Sequence, residues 1–172
     1  MALNYVARFA TTAKALERYC RRKIREHEWA EGEALPDIDA LVARFVEHGY
    51  VNDAVFARAR TGGLLRRGYG ERRINAALDQ AGVDWDDRRE IGEFEARSAA
   101  LRMAQKKGFG PFAASGEPPA ERALREKQIA SMLRAGHALD SARELVNAAS
   151  QEIALEWAEE MRPQEPDEEY WT

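Results

Sequence analysis

Fourteen residues beginning at Leu78, LDQAGVDWDDRREI, return 54 positions later as MLRAGHALDSAREL from Met132. Leu78 meets Met132, Ala81 meets Ala135, Gly82 meets Gly136, Asp86 meets Asp140, Arg89 meets Arg143 and Ile91 meets Leu145. The pattern is an amphipathic helix, a glycine that stops it and a second helix. Gly49-Tyr50 supplies a third such stop upstream. Units of this size bury their apolar faces mainly on their neighbours, so three of them in series predict an elongated or curved array with a long contact surface. No stretch alternates apolar and polar residues with period two, which makes the expected fold all-α.

The helices follow from apolar spacing and punctuation. Leu3, Tyr5, Val6 and Phe9 suggest a short opening helix. Thr11 or Thr12 suits the cap of the next, whose stripe is Leu16, Tyr19, Cys20 and Ile24. A loop from about His27 to Leu35 leads to Pro36, expected in the first turn of a helix carrying Ile38, Leu41, Val42, Phe45 and Val46. Asn52 is a candidate N-cap. The helix after it contains Gly62-Gly63, where two interior glycines costing about 2 kcal/mol relative to alanine predict a kink, fraying or a close helix crossing.

The turn Gly68–Gly70 precedes a helix beginning at Glu71, with Ile74, Ala77, Leu78 and Ala81 as its stripe; Phe56, Ile74 and Leu78 are expected to be buried together. Further helices are expected after Asp84, with Trp85, Arg88 and Ile91 on one face, from Phe94 to Lys107, from Ala120 to Arg134, and from Leu139 onward to about Met161. The organisation is a first repeat over 1–50, a second over 51–92, a third over 93–162, and an acidic tail, Pro163 to Thr172, expected to be disordered.

Charge singles out one stretch. The whole chain of 172 residues carries −4, yet Ala54 to Gln80 holds Arg58, Arg60, Arg66, Arg67, Arg72 and Arg73 against Glu71 and Asp79, a net +4. A solvated helix face would account for a lone arginine run; several gathered at one helix–loop–helix junction make a candidate surface for phosphate or acidic protein. A second basic face, Arg18, Arg21, Arg22, Lys23 and Arg25, lies on the helix after Thr12. The chain from Glu152 to its end carries −7, and a pI near 5.5 argues against a dedicated duplex-DNA binder.

The chemistry of catalysis is missing from this pattern. His27, His48 and His137 are scattered, with His48 placed to cap a helix end, and the lone Cys20 falls on an apolar stripe that predicts a buried, inert thiol. Gly68 and Gly70 follow a helix rather than a strand, and no Gly-Lys-Ser/Thr opens the next helix, so they do not form a phosphate loop. No nucleophile, base and orienting partner occur at interpretable spacing. Neither a metal nor another cofactor is expected. No apolar run approaches the roughly 18 residues of a membrane span, and the setting is expected to be cytoplasmic.

Three segments together resemble the RecX family of bacterial regulators of the RecA recombinase: YVARFATTAKALERYCRRKIREHEW, GYVNDAVFARARTGGLLRRGYGERRINAALDQAGV, and KKGFGPF followed by RALREKQIASMLRAGHALDSARELV. They span roughly Leu3 to Ala148. The resemblance implies an arc of three three-helix repeats and a regulator that binds the RecA filament on single-stranded DNA; the chain is expected to be a monomer. The resemblance further implies lowered ATPase, strand-exchange and coprotease activities in DNA repair, with no catalytic motif to transfer. The best candidates for contacts to protein or nucleic acid are Arg58, Arg60, Arg66, Arg67, Arg72 and Arg73, followed by Arg18, Arg21, Arg22, Lys23 and Arg25. Arg97, Arg102 and Arg122, on two other expected helices among acidic neighbours such as Glu95 and Glu121, are the comparison arginines outside this surface. The competing reading is a helical module that binds single- or double-stranded nucleic acid without RecA, although no recognition helix rich in Asn, Gln and Arg stands out.

Overall fold

The computed structural model describes residues 1–26 and 35–164, and these are all-helical, with no strand among them. They divide into two compact units, one formed by residues 1–62 and 75–90, the other by 63–74 and 91 onward. His27, most of the loop it begins, and the tail from Glu165 onward lie outside the described residues.

In the first unit, helix α1 (Ala2–Val6) leads to α2 (Ala13–Glu26), then α3 (Ile38–Glu47) and the start of α4 (Asp53–Arg66). The unit also includes the end of α5 (Glu71–Ala81). Thr12 does cap α2: its Oγ1 accepts from the Ala15 N–H at 3.1 Å and donates to the Ala81 carbonyl at 2.6 Å. Asn52 caps α4 by accepting from the Val55 N–H at 2.9 Å. The cap of α3 is Asp37, accepting from the Ala40 N–H, so Pro36 precedes the cap instead of entering the first turn. Leu16, Cys20, Ile38 and Val51 form the buried centre, with Tyr5, Tyr19, Leu41 and Phe45 packed around it. Burial raises the pKa of the Cys20 thiol, as expected of an inert one.

The second unit packs α6 (Glu93–Lys107), α7 (Arg122–Arg134), α8 (Leu139–Asn147) and α9 (Gln151–Glu159) around Leu101, Met103, Met132, Leu145 and Val146. Ala100, Ala104, Ala154 and Ala158 are also buried there, and their small side chains let α6 and α9 approach closely. Arg97 is not an ordinary surface residue. Its side chain is 12 % exposed, pairs with Glu93 at 2.8 Å and Glu160 at 3.0 Å, donates to the Trp157 carbonyl and lies over the Trp157 ring.

Several sequence expectations are corrected in these units. Helix α4 is not frayed at Gly62-Gly63: it runs from Asp53 to Arg66 through the pair, which buried Thr61, Leu64 and Leu65 flank. After Gly82 there is only a single 3₁₀ turn, Trp85–Asp87, because Arg88 is extended and its Nη2 is tied back to the Val83 carbonyl at 2.6 Å. The last helix is two: Ala148 leaves the helical region and Ser150 caps a new start by accepting from the Ile153 N–H. Ile74 and Leu78 are buried at 0 % and 1 % exposure, whereas Phe56 is only half-buried. The repeat has a structural counterpart: Gly49, Gly82 and Gly136 all have positive φ, and the next N–H bonds back five residues, Tyr50 to Phe45, Val83 to Leu78 and His137 to Met132.

Candidate interaction surface

The turn between α4 and α5 is set by its glycines. Gly68, at φ +82°, ends α4, and the Tyr69 N–H returns to the Leu64 carbonyl at 3.1 Å. Two residues later the chain passes the stop of α7. The Gly70 N–H donates to the Ala135 carbonyl at 3.0 Å and the Arg72 N–H to the Gly136 carbonyl at 3.2 Å. There is no room for a side chain at this crossing: a Cβ on Gly70 would run into the Gly136 carbonyl and come within 2.5 Å of the His137 nitrogen.

His137 completes the anchor. It is 3 % exposed, and its Nε2 lies 3.0 Å from the Gly68 carbonyl, which can only accept, so this nitrogen carries the ring proton. Burial lowers the imidazole pKa below its ordinary value, against the opposing effect of the Gly68 hydrogen bond.

On this anchored turn Arg66, Arg67, Arg72 and Arg73 are all exposed, and none makes an ion pair among the described residues. Tyr69 stands between two of them, with the Arg67 guanidinium 5.5 Å and the Arg73 guanidinium 5.6 Å from its ring centroid. Cation–π contact fixes the two arginines without neutralising them, so both retain donors for a partner. Four unpaired cations within eight residues of a backbone-anchored turn suit a polyanionic or acidic surface.

The other candidates differ. Arg58 and Arg60 are exposed on the part of α4 that belongs to the first unit, where Arg60 borders an apolar groove with Phe9, Tyr50 and Val55. The α2 face is largely neutralised: Arg21 pairs with Glu17 and Asp39, each at 2.8 Å, and Lys23 and Arg22 pair with Glu26 at 2.6 and 3.4 Å. Arg18 reaches the Gln80 carbonyl, while Arg22 also lies over the Tyr19 ring at 5.7 Å. Arg25 is exposed at the end of the helix. Tyr69 and His137 were missed by sequence reasoning. A signal for His137 was present, since it occupies the position after the glycine stop where the repeat has the buried Val83.

No family model matches the chain. It is 31% identical over 159 residues to the regulatory protein RecX of Myxococcus xanthus, covering 86% of this chain and 82% of that protein. The chain belongs to the RecX family. A RecX of Pectobacterium atrosepticum is 34% identical over a shorter stretch of 77 residues, 40% of this chain and 48% of that protein. The anchored turn is thus a feature of a RecX-family chain. No helix among the described residues is long and apolar enough to cross a membrane.

Proposed function

We propose that this protein is a non-catalytic regulator of a RecA recombinase, chiefly an inhibitor, which binds the RecA filament on single-stranded DNA and lowers its ATPase, strand-exchange and coprotease activities. Family membership supports the partner. The observation that carries the mode of binding is the turn itself, four unpaired arginines around Tyr69 on a backbone pinned to Gly136. Pre-positioned cations lose little freedom on docking and raise the encounter rate with an acidic or phosphate-bearing surface. In this reading Arg58 and Arg60, exposed on α4, add to the contact. The paired arginines of α2 contribute less, because each would first have to leave its carboxylate.

The test is the ATPase of RecA from the same organism on single-stranded DNA with substoichiometric amounts of this protein. Inhibition is the expected result, and its absence overturns the reading. Tight binding to DNA without RecA, falling steeply with salt, would favour the nucleic-acid-binding alternative.

A further inference from the structure

The first unit carries a feature of the opposite charge. A cleft of about 800 Å³ opens among α2, α3, the start of α4 and the turn after α5, and its walls include Glu17, Asp39, Asp53 and Asp84. Glu17 and Asp39 are satisfied by Lys14 and Arg21. Asp53 and Asp84 have no ion pair among the described residues. Asp53 accepts one hydrogen bond, from the Ala13 N–H at 2.9 Å, and burial, with the Asp87 and Asp84 carboxylates adding to it, pushes its carboxyl above the usual range. A positive group in the cleft would relieve that repulsion.

Arg88, on the same cleft, lacks something different. Its side chain is 8 % exposed; Nη2 donates to Asp79 and to the Val83 carbonyl, both at 2.6 Å, while Nε and Nη1 are buried with no acceptor. Buried donors of a charged group are costly to leave unmade, so this one calls for a carbonyl or similar oxygen. Trp85 covers the guanidinium, its ring centroid 5.0 Å away, yet Trp85 is itself 69 % exposed and thus placed to move aside or to stack on a ligand.

The ligand must therefore bring a cation and an acceptor together. A phosphate would be repelled by the carboxylates, and no three His, Cys, Asp or Glu among the described residues are grouped to hold a metal ion. A peptide bearing arginine or lysine satisfies both needs, its stem lying along Val42 and Val83 and its head meeting the aspartates and the Trp85 face.

We infer that this cleft binds a basic segment of a protein partner, an arginine or lysine side chain entering beside Asp53 and Asp84 with a main-chain carbonyl turned towards Arg88. The inference stands whether or not that partner is a recombinase filament.

The test is titration of the ¹⁵N-labelled full chain with acetyl-Ala-Arg-Ala-amide, using acetyl-Ala-norleucine-Ala-amide as the uncharged control. Saturable shifts are expected at the Trp85 indole and at the Ala43 and Val83 amides with the arginine peptide alone. Asp84→Asn and Trp85→Ala, both at exposed positions, should each weaken binding about fivefold. Charge reversal at Arg66, Arg67, Arg72 and Arg73 should leave it unchanged, which separates this site from the filament-binding reading. No saturable shift at the cleft, shifts gathered instead on the acidic tail, or binding indifferent to both cleft variants would each overturn the inference.

Discussion

Gly70 and Gly136 lie against each other in the second unit, the Gly70 N–H bonded to the carbonyl just before Gly136 and neither position having space for a methyl group. A Cβ on Gly136 would meet the Cβ of Arg73 at 2.7 Å. The arginine turn is thus held by main chain on main chain, the closest packing a protein can make.

Gly70→Ala should consequently destabilise the protein by about 1–3 kcal/mol, since backbone rather than a flexible side chain would have to move. Gly63→Ala is the opposite case. A Cβ there meets nothing within 4 Å and the position is helical, so the substitution should stabilise by about 1 kcal/mol. Urea denaturation of the two variants beside the parent checks both signs.

His137 makes stability depend on pH in a window of its own. Its folded pKa is lowered from the ordinary 6.5, so the unfolded chain takes up this proton first. The contribution is fully present above about 6.5 and is lost as pH falls through that value towards the lower folded one. Glu17 and Glu159, held low by Lys14 and Arg21 and by Arg162 respectively, act only below the ordinary carboxylate value of 4.5. Unfolding free energy measured at pH 7.5 and 5.5 should fall in the parent and fall less in His137→Gln.

Leu78→Ala should cost about 2–5 kcal/mol by emptying a fully enclosed position. Its side chain is 1 % exposed, and the carbonyl of the same residue receives the Val83 N–H at the helix stop. A cost below about 1 kcal/mol in chemical denaturation would mean that the site refills by collapse.

What could be read from the sequence was local. Thr12, Asn52 and the glycines at 49, 82 and 136 act on backbone within a few residues, and they punctuate the helices as their types predict. The turn after Gly82 went wrong because Trp85, Arg88 and Ile91 have helical spacing, while the guanidinium of Arg88 prefers the Val83 carbonyl and Asp79. Ser150 divides the last helix through a side-chain bond that competes with apolar spacing too weakly to show in the pattern. The basic turn was legible as six arginines, but which of them stand unpaired depends on folding: Arg21 meets Asp39 across 18 positions and Arg97 meets Glu160 across 63. The acidic cleft draws residues from α2, α3, α4 and the turn after α5, and no spacing rule connects them.

The arginine turn is tested most directly by reversing charge at Arg66, Arg67, Arg72 and Arg73 together and measuring inhibition of the RecA ATPase on single-stranded DNA, beside a control reversed at Arg102 and Arg122. Both control residues are exposed, and among the described residues Arg122 pairs only with Glu126 on its own helix. All four turn arginines are also exposed, so helicity and melting temperature should stay close to the parent's. Inhibition should fall at least about tenfold in the turn variant, with a weakened salt dependence of association, and change little in the control. Equal loss in both variants, or full inhibition by the turn variant, would contradict this expectation.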